Sequence, residues 1–245
     1  MRLQHRAVDA GANRAATMLI HQSSLSATVD AVNEAVFFGK AMAAKDRRHI
    51  ARWIAARQGL PGAYGELFAG FAPELASGIR LFTGERVTSA SARHILGEES
   101  CRALLLLKSD DATATAALTR ATAWLSERVE KAAKDSPRNT AGAYCCGKCT
   151  VGLWRNILAG GLDRQDLRLR FGLSKLRSMR DGQGGWRAFP FWYTVLALAE
   201  MDRAEARGEL RYASARIRAE AKRAAGSSAC AVRRHALAHA ALERL

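Results

Sequence analysis

Two segments rich in glycine and aromatic residues, GAYCCGKC (142–149) and DGQGGWRAFPFWYT (181–194), decide the fold that we predict for this chain. The sequence between them repeats leucines at helical spacing, at Leu169, Leu173 and Leu176. Glycine lets a chain reverse tightly after a helix, and an aromatic side chain that follows can bury a large area at the end of a helix pair. The two segments therefore predict helical hairpins joined by glycine turns.

The same order of elements occurs three times along the chain. A helix ends with an arginine, a glycine turn follows, and an aromatic residue begins the next segment; the arginines are Arg57, Arg128 and Arg180, and the aromatic residues are Tyr64, Tyr144 and Trp186. The aromatics are 80 and 42 positions apart (144−64 and 186−144), and a period of roughly 40 residues is typical of stacked helix pairs. Because no segment alternates at period two, the sequence predicts an all-α fold of helical-hairpin repeats.

One turn carries a resemblance to a known family. The segment RDGQGGW (180–186), followed by Phe189-Pro190 and YTVLAL (193–198), is similar to the turns of prenyltransferase and squalene-cyclase-like repeats. The resemblance covers about residues 50–209 and is best over 142–202, and it implies a partial or complete α/α toroid. It implies no single reaction, because toroids carry unrelated chemistries. The Asp-x-Asp-Asp motif of squalene-type cyclases is missing, and the pair Asp110-Asp111 lacks the third aspartate of isoprenoid-diphosphate metal motifs.

Composition limits the class of protein. Apolar residues make up 49% of the chain and charged residues 25%, which is the range of globular proteins. No apolar run approaches the roughly 20 residues that span a bilayer, and residues 1–16 lack the apolar core of a secretory signal. Five cysteines, three of them crowded at 145–149, do not make a disulfide framework, so we expect a cytoplasmic protein. We predict a flexible N-terminal arm over residues 1–24 and a single helical repeat domain over 25–245. Within this domain we expect a helix capped by Ser26 or Thr28, a helix capped by Asp111, and two helices that meet at Gly97.

The chain is strongly basic, with a formal net charge of +15. Such a charge attracts nucleic acid, anionic membranes and acidic ligands. The basic helix predicted over residues 210–223 could bind such a partner, although a solvated face is the more common role of such a helix. GC-rich coding also produces chains rich in arginine, alanine and glycine, which is an alternative explanation of the charge. Binding of a polyanion therefore stands as one alternative function.

The cysteine segment allows several readings. Cys146 and Cys149 have the spacing of zinc ligands, and His235 and His239, at i and i+4, would complete a Cys2His2 set if the last helix folds back. The segment YCCG (144–147) also resembles the aromatic-Cys-x-Gly segment of lanthipeptide cyclases, which are zinc-containing toroids, but their Cys-His-Gly motif is missing. Without metal, these cysteines are either small packing residues or a redox-reactive site at Cys146, since a thiol at a helix start can have a lowered pKa.

A second group of candidates would bind a ligand. Arginine and lysine side chains near helix starts could form an anion pocket, and tryptophan and tyrosine rings could line an apolar cavity, unless the cations cap helices and the rings form the core. The residues predicted for ligand binding are Tyr144, Lys148, Arg155, Asp181, Trp186, Arg187, Trp192 and Tyr193. The catalytic candidates are Cys146, Cys149 and the i, i+4 pair His94 and Glu98, which could act as an acid/base pair or lie on the surface.

These observations support one leading function and two alternatives. The leading prediction is a toroid-like repeat protein that binds a ligand or a protein partner on a concave face lined by the glycine turns and aromatic residues. The enzyme alternative is a toroid-type cyclase or transferase that uses the cysteine cluster, with zinc as its cofactor. The third is the basic protein that binds a polyanion or nucleic acid.

Overall fold

The computed structural model describes residues 19–135, 142–223 and 226–245. Within these ranges the chain is mostly helical, as the sequence predicts. The helices are α1 (Leu25–Phe37), α2 (Ala44–Ala55), α3 (Ala72–Ser77), α4 (Ser91–Leu107), α5 (Ala112–Asp135), α6 (Gly147–Leu158), α7 (Gln165–Ser178), α8 (Phe191–Glu200), α9 (Ala204–Arg223) and α10 (Ala229–Leu242). Two strands of two residues each, β1 (Ile79–Arg80) and β2 (Arg86–Val87), pair between α3 and α4. In these ranges no helix combines the length and apolarity needed to cross a membrane.

The chain divides into two compact units. The first contains residues 19–79 and 88–125, and the second contains residues 80–87, 126–135, 142–223 and 226–245. The prediction of one domain over 25–245 stays a prediction, since compactness within a chain is not a measurement of independent folding. Residues 1–18 of the predicted arm lie outside the described residues. Of the remainder, Ile20 is buried and Ser24 caps α1, so ordered structure begins before residue 25.

In the first unit, α1 and α2 pack on α4. We predicted two helices meeting at Gly97, whereas α4 runs unbroken through this residue. The glycine is needed for a close approach rather than a break, because a Cβ at Gly97 would lie 2.5 Å from Leu67 Cδ1. The predicted cap of α5 is confirmed, since Asp111 Oδ1 accepts the Ala114 N–H at 3.0 Å. The cap of α1 is Ser24, rather than Ser26 or Thr28 as we predicted, and its Oγ accepts the Ala27 N–H at 3.0 Å.

In the second unit, α8 packs against α6, α9 and α10. Its apolar run explains this position, because residues 195–198 are at most 1% exposed. The hairpin residues 80–87 belong to the same unit and close the start of α8, where Glu85 Oε1 accepts the Tyr193 N–H at 2.9 Å. A carboxylate at this end of a helix satisfies a backbone donor that has no partner inside the helix.

Hydrogen bonds correct the alignment of the predicted repeats. Gln58 bridges Phe68 in the first unit, and Arg180 bridges Trp186 in the second, both in antiparallel fashion. The backbone bonds on either side of the two bridges have the same pattern. In the first turn the Gly59 N–H donates to the Leu67 carbonyl and the Ala69 N–H donates to the Arg57 carbonyl. In the other turn the Asp181 N–H donates to the Gly185 carbonyl and the Arg187 N–H donates to the Met179 carbonyl. Phe68 is therefore the counterpart of Trp186. The predicted equivalences of Tyr64 with Trp186 and of Arg57 with Arg180 are wrong.

The loop between Gln58 and Phe68 is longer than the loop between Arg180 and Trp186. Tyr64 lies among the additional residues of the longer loop. Its ring stacks on His94, with centroids 3.6 Å apart, and meets Trp124 edge-on at 4.9 Å. In the second predicted turn, α5 continues past Arg128 to Asp135, and residues 136–141 lie outside the described residues. The toroid arrangement of the hairpins stays a prediction.

Candidate functional sites

The aspartate of the glycine turn binds both the backbone of the turn and two side chains of α9. Asp181 Oδ1 accepts the N–H groups of Gln183 at 2.8 Å and of Gly185 at 2.9 Å, and the Tyr212 hydroxyl donates to it at 3.1 Å. Arg216 lies 3.3 Å from the other oxygen. The bond from the Gln183 N–H, followed by those from Gly185 and Tyr212, lowers the pKa of Asp181 below its ordinary value. Asp181 therefore holds the turn, and its predicted role in ligand binding stays a prediction.

Trp186 is buried beneath the same turn. Its Nε1 donates to Glu209 Oε2 at 2.9 Å, and Arg180 donates to both oxygens of that carboxylate at 3.0 and 2.8 Å. The guanidinium of Arg180 also lies over the Tyr212 ring, 4.2 Å from its centroid. Glu209 is only 3% exposed, so these three bonds satisfy a buried charge. Next to this cluster, Arg187 keeps an exposed side chain.

The other predicted ligand residues lie mainly in the core. Arg155 donates to both oxygens of Glu200 at 3.1 and 3.0 Å, and its side chain is 2% exposed. Tyr144, Trp192 and Tyr193 are buried, which is the environment of packing residues rather than of an open ligand face. The predicted concave face lined by these rings is therefore not formed by them. Lys148 is half-buried in the first turn of α6.

The cysteine segment forms a tight turn into α6. Thr150 Oγ1 holds both backbone groups of Tyr144, accepting its N–H at 3.3 Å and donating to its carbonyl at 3.0 Å. Cys145 is exposed with a φ of 58°, Cys146 is the half-exposed N-cap of α6, and Cys149 is fully buried. All five cysteines lie in the described ranges, and none of them is in a disulfide.

The sulfur atoms of this turn are close together. Cys146 Sγ lies 3.6 Å from Cys149 Sγ, and Cys145 Sγ lies within 4.8 Å of Cys149 Sγ. Cys149 is thus a buried central thiol with two more accessible thiols beside it. This arrangement provides both the spacing for a soft metal ion and the proximity for a disulfide.

The predicted Cys2His2 set is not assembled. Among the described residues, no group of histidine, cysteine and acidic side chains close enough to share a metal ion includes His235 or His239. Helix α10 packs on α8 and α9 and leaves both histidines exposed, and His239 Nδ1 instead lies 3.3 Å from Glu243. The helical spacing of the two histidines was predicted correctly, but the tertiary direction of α10 takes them elsewhere.

The predicted pair His94 and Glu98 is not a surface pair. Glu98 is fully buried, and His94 is the partner of Tyr64 in the stack described above. One turn further along α4, burial raises the pKa of the Cys101 thiol well above its ordinary value, and the charge of Glu98 raises it further. Glu98 and Cys101 therefore lie in the interior of the first unit, and His94 is half-buried.

Among the described residues, a concave region that sequence reasoning missed is present in each unit. In the first unit a cavity of about 680 Å³ lies beside the start of α4, next to Thr88, Ser89 and Arg93. In the second unit a groove of about 510 Å³ lies between α7 and α9, which we name the α7–α9 groove. Its lining residues are Arg170, Leu173, Ser174, Arg177, Arg180, Ala204, Glu205, Gly208 and Glu209.

One sequence signal could have indicated the groove. Arg170, Ser174 and Arg177 follow each other at i, i+4 and i+7 and therefore share one face of α7. Comparisons with protein-family models, with curated proteins and with solved structures found no match to this chain. The geometry of the chain's own residues is therefore the basis for a functional proposal.

Proposed function

We propose that this helical-hairpin protein, toroid-like in its turns, binds a small anionic ligand in the α7–α9 groove. The observation that carries the proposal is a groove of about 510 Å³ lined by Arg170, Arg177 and Arg180. This volume lies in the range of about 300–1,000 Å³ that small-molecule sites occupy. The proposal keeps the predicted ligand-binding function and moves its site from the buried aromatic residues to a face beside the glycine turn.

The charges of the groove favour an anion. Of its two carboxylates, Glu209 is paired with Arg180, and Glu205 lies 3.6 Å from Arg203, which is not among the lining residues. The backbone N–H of Glu205 first, and Arg203 and Arg170 after it, lower the pKa of that carboxyl. Arg170 and Arg177 are exposed on the groove side of α7. Guanidinium groups bind phosphate and carboxylate in a bidentate manner, so this pair suits a phosphate- or carboxylate-bearing molecule.

Gly208 borders the open space of the groove. It lies inside α9, where glycine costs about 0.5–1 kcal/mol relative to alanine. A Cβ at this position would meet no atom within 4 Å, so packing does not require the glycine. The open space above it is part of the groove, beside the apolar side chains of Leu173 and Ala204. A ligand with an anionic group and a small apolar body fits this lining.

The basic helix of the polyanion alternative is partly used internally. On α9, Arg216 contacts Asp181 and lies over the Phe191 ring at 4.4 Å. Arg211 donates to the Leu245 carbonyl at 3.4 Å, and Arg223 pairs with Glu220 at 3.4 Å. Arg218 is exposed on the same helix and lines neither the groove nor the turn. It therefore provides a control of equal charge.

A thermal-shift titration tests the proposal. We use inorganic pyrophosphate as the phosphate probe and citrate as the carboxylate probe, with wild type, Arg177→Ala and Arg218→Ala. A ligand at a hundredfold excess over its Kd stabilises by about 2.7 kcal/mol, which is roughly 5–10 °C in Tm for a chain of this size. We expect Arg177→Ala to abolish the shift and Arg218→Ala to keep it. Equal losses in both variants would indicate diffuse polyanion binding, and no shift with either probe would reject the proposal.

A further inference from the structure

We propose that Cys146 and Cys149 form a redox dithiol that exchanges with a disulfide-bearing substrate, with Cys146 as the attacking thiol and Cys149 as the resolving thiol. This activity is separate from the proposed ligand groove, since neither cysteine lines that groove. The proposal rests on the position of the two sulfur atoms and on the difference in their exposure.

The two sulfurs are close enough to react with each other. Cys146 Sγ and Cys149 Sγ are 3.6 Å apart, and rotation about the Cα–Cβ bonds can bring them to the roughly 2 Å of a disulfide. Cys146 is half-exposed at the N-cap of α6, where an incoming disulfide can reach it. Cys149 is fully buried, so it can react with Cys146 but not with a large substrate. This division of exposure assigns the two roles.

The turn that holds the sulfurs is fixed by neighbouring groups. Thr150 Oγ1 ties both backbone groups of Tyr144, as described above. Between the two cysteines, Gly147 lies against the next glycine turn, because a Cβ there would be 2.3 Å from the Ala188 carbonyl oxygen. The close approach of the thiols is thus a property of a constrained turn, and it does not depend on the sequence spacing alone.

The chemistry balances with a disulfide as the oxidant. The Cys146 thiolate attacks one sulfur of R–S–S–R, the S–S bond breaks, and one R–S⁻ leaves and takes up a proton. The Cys149 thiolate then attacks Cys146 Sγ in the mixed disulfide and releases the second R–S⁻, which is also protonated. Two protein thiols are oxidised to one disulfide, and one substrate disulfide is reduced to two thiols. The reverse sequence delivers the disulfide to a reduced dithiol.

Cys145 is the competing thiol. It is exposed, and its Sγ lies within 4.8 Å of Cys149 Sγ, so it too could close a disulfide with the buried thiol. The 3.6 Å between the Cys146 and Cys149 sulfurs, together with the position of Cys146 at the N-cap of α6, assigns the attacking role to Cys146. Single substitutions of the two residues distinguish the two pairs.

The experiment is equilibration of the full chain with oxidised and reduced glutathione, followed by acid quenching and intact-protein mass measurement. We expect wild type and Cys145→Ser to lose two hydrogens as the internal disulfide forms. Cys149→Ala combined with Cys145→Ser should stop at the mixed disulfide of glutathione on Cys146, located by peptide mapping, and Cys146→Ser should form no internal disulfide. Cys230→Ser, which changes a thiol on α10, should behave as wild type.

Three results would overturn the proposal. One is an internal disulfide in Cys146→Ser, which would assign the reaction to Cys145. The second is wild type that stays reduced at every glutathione ratio. The third is wild type purified without added metal that holds stoichiometric zinc and oxidises only after chelation, which would make these thiols a metal site. Far-UV circular dichroism of each variant checks folding, and Cys149→Ser serves if Cys149→Ala is unfolded.

Discussion

Removing the carboxylate of Glu209 should strongly destabilise the second unit. Glu209 is 3% exposed and accepts bonds from Arg180 Nε at 3.0 Å, Arg180 Nη2 at 2.8 Å and Trp186 Nε1 at 2.9 Å. Glu209→Ala leaves the guanidinium and the indole N–H without this acceptor. Breaking a buried ion pair from one side costs about 3–5 kcal/mol. The side chain of Arg180 is 30% exposed, and water that reaches it places the expected loss near the lower end, at about 3 kcal/mol.

Urea unfolding of wild type, Glu209→Ala, Trp186→Phe and the double variant measures this loss. Trp186→Phe removes one hydrogen bond to a charged group and keeps a large ring, so we expect a cost of about 1.5–3 kcal/mol. Because both substitutions break the same bond, the double variant should lose less than the sum of the two single losses. A loss below about 1 kcal/mol for Glu209→Ala, or strict additivity, would refute the assignment of Trp186 and Glu209 to the architecture of the turn.

Three further predictions concern single side chains. The pKa of the buried Cys101 thiol is raised, so the contribution of this thiol to the free energy of unfolding is complete below pH 9.0, its ordinary pKa. Above that pH the contribution is lost at up to about 1.4 kcal/mol per pH unit. In urea unfolding, Cys101→Ala should flatten this alkaline loss of stability. Asp181 has a lowered pKa, so its contribution to stability is present above pH 3.8, its ordinary pKa, and is lost as the pH falls below that value. Thermal unfolding of Asp181→Asn should therefore show a lower Tm at neutral pH and a Tm that depends less on pH in acid. Gly142→Ala places a Cβ 1.6 Å from the Arg168 carbonyl oxygen and should cost at least about 1–3 kcal/mol, whereas Gly208→Ala should gain about 0.5–1 kcal/mol by the same unfolding measurement; equal effects would contradict the close approach.

Much of the helical architecture could be predicted because it depends on local signals. The leucine spacing of α7 and the aspartate before α5 are readable one segment at a time, and both predictions are confirmed. Gly97 was misread because a glycine that ends a helix and a glycine that lets Leu67 approach look the same in sequence. The strands β1 and β2 have two residues each, which is too short for a visible alternation.

The turn alignment shows a different limit of sequence reasoning. Gly62-Ala63-Tyr64 matches Gly142-Ala143-Tyr144 letter by letter, so the sequence favoured Tyr64 as the aromatic residue that packs at the end of its helix pair. The backbone bonds instead place Phe68 in that position, because the first loop has additional residues before its bridge. A register is set by hydrogen-bond partners, and these are not visible in residue types.

A candidate site could be predicted when its residues are close in sequence, and not when helix packing brings them together. The thiols of Cys146 and Cys149 were found from their spacing, because three residues of one turn bring them together. The α7–α9 groove needs two helices to pack, and Arg177 and Gly208 are 31 positions apart (208−177). The basic composition indicated an anionic partner, but only the packing of α7 and α9 shows where arginines and open space coincide.

The most direct test of the central claim, that the α7–α9 groove binds an anionic ligand, is a calorimetric titration of pyrophosphate and of citrate into Gly208→Ala and Gly208→Phe. Both substitutions remove the same glycine, and only phenylalanine fills the space above it. We predict that Gly208→Ala binds the preferred probe with wild-type affinity and that Gly208→Phe, folded by circular dichroism, shows no measurable heat of binding. Equal affinity in the two variants would contradict the account, because the ligand would then lie outside the groove.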